Sequence, residues 1–120
     1  MKIIAFILLA ALLVSQTLTQ PPVFDIVGPL SATAFGCLAQ EGFQQVIIRA
    51  YSLDNGGSLD PNAVQTLLNA QNSGINPYIY MVICRNGDAA SQVDTILDQI
   101  STRNYGMAYI KVEPNTVPGC

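Results

Sequence analysis

The sequence predicts an α/β protein with a parallel sheet, its elements ordered βαβαβαβ. Two observations predict it. Four short apolar runs rich in Val, Ile and Tyr alternate with stretches whose apolar residues recur at three- and four-residue spacing. The changes between the two patterns fall at Gly, Pro, Asp or Ser, residues that end strands and cap helices. Strand–helix–strand units of this kind close as right-handed crossovers and leave their strands parallel.

The chain has 120 residues. Met1-Lys2 and the apolar run Ile3 to Val14 form a positive end followed by a hydrophobic segment, and Ser15, Thr17 and Thr19 suit a cleavage site. Residues 1–20 are therefore expected to be a secretory signal peptide, the run being short of the roughly 20 apolar residues that span a bilayer; an uncleaved anchor is the alternative. Residues 21–120 are then one modest domain, secreted or lumenal, with lysosome and phagosome included, and without stable membrane insertion once the signal is cut.

Within that domain, Val23-Phe24-Asp25-Ile26-Val27 reads as the first strand, ended by Gly28-Pro29. Ser31 caps a short helix, Ala32 to Gln40, that closes at Gly42 and turns Phe35 and Leu38 toward the sheet. Gln45 to Tyr51 is the second strand, where three successive β-branched residues suggest burial on both faces. Asp54 to Gly57 is a loop. Asp60 is expected to cap the second helix with Pro61 at its first position, and Ala63, Val64, Leu67 and Leu68 make the apolar stripe before Gly74. Pro77 to Cys84 is the third strand. Asp88 caps a third helix whose stripe is Val93, Ile96, Leu97 and Ile100. Tyr105 to Pro114 holds the fourth strand; Tyr109, Lys111 and Glu113 share one face, while Ala108, Ile110 and Val112 share an apolar face suited to packing under helices. Four strands make either an open sheet with an uncovered edge or part of something larger, since a closed (β/α) barrel takes about eight.

Composition narrows the chemistry. With Lys2 lost in the leader, four basic and eight acidic residues remain, a net charge of about −4, so nucleic acid is not an expected partner. His is absent, which excludes Ser-His and Cys-His catalysis and the usual zinc sites within the chain. No Cys-x-x-Cys stands among the three cysteines, which weakens a redox reading. Asp25, Arg49, Cys84 and Glu113 fall at or near strand C-termini, where parallel α/β folds keep their chemistry. Two carboxylates on different strands suit glycoside hydrolysis, one donating a proton to the leaving oxygen and the other ionised, with neither metal nor cofactor. Arg49 either neutralises the strand-end acids or binds substrate. Tyr80 and Tyr109 either stack on sugar faces or pack. The third and fourth strand ends are neighbours, so Cys84–Cys120 is the preferred disulfide over a bridge from Cys37 to either.

Phe24-Asp25-Ile26, the Val-Ile-Ile-Arg-Ala-Tyr core of residues 46–51, Tyr80-Met81 in the third strand and Tyr109 to Asn115 in the fourth resemble, in order, the first four strands of the family 25 glycoside hydrolases, the Chalaropsis-type lysozymes. Cys37-Leu38 and the Pro-Gly-Cys ending are most similar to secreted members from protists and nematodes. The resemblance implies the N-terminal half of a (β/α) TIM-like barrel. It implies cleavage of the β-1,4 bond between N-acetylmuramic acid and N-acetylglucosamine in bacterial peptidoglycan, and hence a place in cell-wall breakdown, antibacterial defence or digestion. It makes Glu113 the general acid and Asp25 the strand-one acid of the pocket.

Two departures from the family pattern follow. Lys111 stands where the family usually carries the Asp of Asp-x-Glu. At about 7 Å along the strand and an effective dielectric of about 20, it favours ionised Glu113 by roughly 2 kcal/mol, the wrong direction for a general acid. Pairing of Lys111 with Asp25 is the alternative, and it removes a catalytic charge too. The second half of the barrel and a further acid are also missing from these 120 residues. The sequence is therefore expected to encode a truncated, impaired muramidase. A non-catalytic glycan-binding protein, or a half-barrel homodimer closing through the open sheet edge, is the alternative.

Overall fold

A computed structural model describes residues 21–53, 57–84, 86–100 and 104–112. Strand β1 (Val23–Ile26) leads through helix α1 (Ala32–Gln40) to β2 (Gln45–Ser52). A two-residue strand β3 (Ser58–Leu59) precedes α2 (Ala63–Asn72), and β4 (Asn76–Val82), α3 (Ala89–Ile100) and β5 (Ala108–Lys111) follow. The sheet runs β1-β2-β4-β5 with every neighbouring pair parallel, the arrangement the alternating pattern predicts and one compatible with a partial (β/α) barrel. Strand β3, which lacks any alternation that would announce it, pairs antiparallel with the end of β2.

Local signals placed the helices. The Ser31 hydroxyl accepts from the Ala34 amide at 3.2 Å, and the Asp88 carboxylate accepts from the amides of Ala90 and Ser91 at 3.0 and 3.2 Å, so two of the three expected caps form. Gly42 and Gly74 stop α1 and α2 at φ of +90° and +76°, a conformation other residues adopt only with strain. Asp60 does not cap α2. Asn62 holds that position, and the Asp60 carboxylate instead accepts from the Asn62 amide at 3.0 Å in a turn that precedes the helix.

The core lies between the three helices and one face of the sheet. Val46, Ile48 and Ala50 of β2 and Ile79 and Met81 of β4 meet Phe35, Leu67, Ile96 and Ile100 from the helices, all essentially inaccessible. The opposite face is covered less. Ile47 and Arg49 of β2 and Tyr78 and Tyr80 of β4 are only half-buried, so the second strand is not buried on both sides as its β-branched run suggests. The apolar face of the fourth strand also departs from expectation: Ile110 and Val112 are 52% and 68% exposed. Helix α2 lies over β2 and β4, and all four residues of β5 are exposed.

Candidate functional site on the open face of the sheet

The hydrogen-bonded rows decide which side chains share the open face. Asp25 is level with Ile47 and Tyr78; Arg49 is level with Tyr80 and Tyr109; Lys111 is level with Val82. Alternation places all of these on the side away from the helices, so Asp25, Arg49, Tyr80, Tyr109 and Lys111 project from one surface. Glu113 and Cys120 lie outside the described residues, as does the expected signal segment. Asp25 is exposed on edge strand β1. Lys111 sits over the Tyr80 ring, its Nζ 6.0 Å from the centroid, a cation–π arrangement. Tyr78 and Tyr109 form a tilted pair with centroids 6.1 Å apart. The face thus offers a carboxylate at one edge, a cation at the other and a band of tyrosines toward the second edge.

Arg49 is tied down. Its guanidinium donates from Nε and Nη2 to one oxygen of Asp60 at 3.2 and 3.0 Å, and Asp60 is only 5% exposed. The Asp60 amide donates to the Ala50 carbonyl at 2.8 Å, fastening the chain after β3 to the end of β2. Asp60 is thus a partner of Arg49 that sequence reading misses. A register irregularity between Arg49 and Tyr51 re-aims β2 at this point. The alternating pattern holds no sign of the pair, because its residues are eleven apart and meet only when β3 folds back.

A depression of about 290 Å³ opens near the starts of the strands, lined by Val23, Gln45, Ile47, Tyr78 and Tyr109 with Pro21. It adjoins the tyrosine band but does not include Asp25, Arg49 or Lys111. Past the end of β4, the Gln92 side chain brackets Cys84, accepting from its amide at 2.7 Å and donating to its carbonyl at 3.1 Å. Cys37 is exposed and free. No helix among the described residues is long and apolar enough to cross a membrane.

Comparison with known proteins decides the family. The family model for lysozyme-like protein 1 matches residues 18–118, nearly the whole chain. The chain belongs to that lysozyme-like family. It is 33% identical over 93 residues to "Probable GH family 25 lysozyme 2" of Dictyostelium discoideum, covering 74% of this chain and 43% of the relative. It is 30% identical over 100 residues to "Probable GH family 25 lysozyme 4" of the same organism, covering 79% and 46%. These matches agree with the resemblance to the family 25 lysozymes. The chain spans less than half the length of these curated relatives. No solved structure matches it.

Proposed function

We propose that this chain carries the first half of an N-acetylmuramidase site that acts on bacterial peptidoglycan, in cell-wall degradation or antibacterial defence and digestion. The observation that supports the reading is the shared face: Asp25 and Lys111 project from one side of a parallel sheet. Glu113 is the general acid, protonating the leaving glycosidic oxygen. Asp25 remains ionised and either activates water or stabilises positive charge at the sugar. Tyr80 and Tyr109 supply apolar surface for the pyranose rings. Arg49 supports the site through Asp60. The protein reaches its substrate by secretion, with residues 1–20 as the signal, and Cys84 pairs with Cys120; the exposed, free Cys37 supports that pairing.

Lys111 holds the activity down, because its charge favours the ionised form of the residue that must give up a proton. The purified chain is expected to clear a peptidoglycan suspension little or not at all. Lys111→Asp is expected to raise the residual rate at least about 30-fold, since loss of the cation alone is equivalent to roughly 2 kcal/mol, and adding Glu113→Gln is expected to abolish the gain. Turbidity and released reducing sugar check this. No gain from Lys111→Asp would end the electrostatic account, and a gain indifferent to Glu113 would end the assignment of the acid. A second reading, a secreted glycan-binding or self-associating half-barrel without catalysis, is favoured by the same lysine. Strong clearing by the unaltered chain would dismiss it.

The disulfide assignment has its own check. Thiol titration of the unfolded, unreduced protein is expected to find one reactive thiol, and peptide mapping is expected to place it at Cys37. Cys37 found in a bridge would overturn the pairing.

A further inference from the structure

All the large hydrophobic side chains that are exposed among the described residues sit in or beside two strands, β1 and β5. These are the two ends of the sheet path, each with one side of its backbone facing no other strand among the described residues. Both edges belong to one parallel sheet. A two-fold axis along the strand direction therefore brings β1 of one copy against β5 of another with the strands still parallel. The same rotation makes the reciprocal contact, so eight strands close and no edge is left.

Side-chain alternation restricts how the edges can meet. On β1, Val23 and Asp25 belong to the open face, and Phe24 and Ile26 belong to the helix face. On β5, Tyr109 and Lys111 belong to the open face, and Ala108 and Ile110 belong to the helix face. A slip of one residue would set open-face residues of one strand beside helix-face residues of the other. Of the registers that remain, one sets Tyr109 beside Val23, Ile110 beside Phe24 and Lys111 beside Asp25. The next, two residues on, sets Tyr109 beside Asp25 and Lys111 beside Val27. The first matches apolar with apolar on both faces: Ile110 and Phe24 are 52% and 43% exposed, and Tyr109 and Val23 are 39% and 48% exposed. It also sets the cation beside a carboxylate.

We propose that the occupant of both edges is a second copy of this chain, joined by two β1–β5 ladders in which Lys111 of each copy pairs with Asp25 of the other. Closure covers the Tyr78–Tyr109 pair and removes both apolar edges from water. The inference rests on the sheet and not on the catalytic reading, so a dimer without activity leaves it standing, and an active monomer overturns it alone.

Sedimentation equilibrium tests it, with the purified chain and the charge reversals Asp25→Lys and Lys111→Asp. The unaltered chain is expected at twice its monomer mass. Each reversal places like charges in both ladders and is expected to weaken association at least tenfold. An equimolar mixture of the two variants restores opposite charges in both ladders and is expected to recover the dimer. Amide exchange on the unaltered chain checks the ladders without mutation: residues 23–26 and 108–111 are expected to slow as concentration rises. A monomer at all concentrations, open-ended polymers, indifference to either reversal, or exchange independent of concentration would overturn the proposal. So would rescue by the double reversal in one chain without rescue by the mixture, which is the behaviour of a pair within one chain.

Discussion

Phe35→Ala is expected to lower the unfolding free energy by about 4 kcal/mol. Phe35 has no accessible surface and is the one buried residue of α1. That helix has nine residues, too few to persist by its own propensity, so its stability comes from the face it buries. Phe35 belongs to the same buried core cluster as Ile26, Val46 and Ile48. Its removal leaves a cavity under the β1–β2 crossover, and the small residues around it in α1, Gly36 and Ala39, cannot refill the space. A domain of about 100 residues commonly has 5–15 kcal/mol in all, so the variant is expected to be near the limit of folding. Urea unfolding followed by circular dichroism measures the loss. A loss under about 1 kcal/mol would mean that α1 is anchored by something other than this ring.

Asp60→Ala is expected to cost about 3 kcal/mol, the lower end for breaking a buried ion pair because the Arg49 side chain is itself a quarter exposed. The Asp60 carboxylate does three things that alanine cannot. One oxygen accepts both donors of Arg49, and the other accepts the Asn62 amide that starts the turn into α2. Without it, a half-covered guanidinium on the open face loses this partner. Asp60→Asn keeps an oxygen for Asn62 and loses the charge, so it is expected to cost about half as much. If both variants unfold at the same urea concentration, the ion pair and not the turn is the source of the stability.

These two residues show where sequence reading succeeds and where it stops. Phe35 was legible as core because its helix is marked at both ends, by Ser31 and Gly42, and because Leu38 follows it on the same face. Ile96 and Ile100 were legible in the same way behind Asp88. Asp60 also carries the mark of a cap, an acid before a proline, but the helix starts later and the acid turns toward Arg49. The meeting of the Asn62 amide and the guanidinium at one carboxylate depends on β3 pairing with β2, and two residues of strand give no periodicity to read.

The candidate site divides along the same line. Alternation alone put Tyr109 and Lys111 on one face and Ile110 on the other, and the sheet register joined Asp25, Arg49 and Tyr80 to the first group. The pairing of β-branched residues 46–48 could not say that one side of β2 is closed and the other half-open. The apolar character of Ile110 and Val112 could not say that they are exposed.

By itself, then, the sequence determined the three helices and the four main strands, their order, the parallel sense of those strands and which side chains travel together. Each of those depends on neighbours within a turn or two of chain, where backbone sterics, capping and side-chain period act. Only the tertiary structure decided that Arg49 belongs to Asp60, that all four residues of β5 are exposed, and that, among the described residues, the exposed large hydrophobic side chains gather at the two strand edges. Those outcomes depend on which remote segments come to lie side by side, and no local period encodes what stands on the far side of a strand.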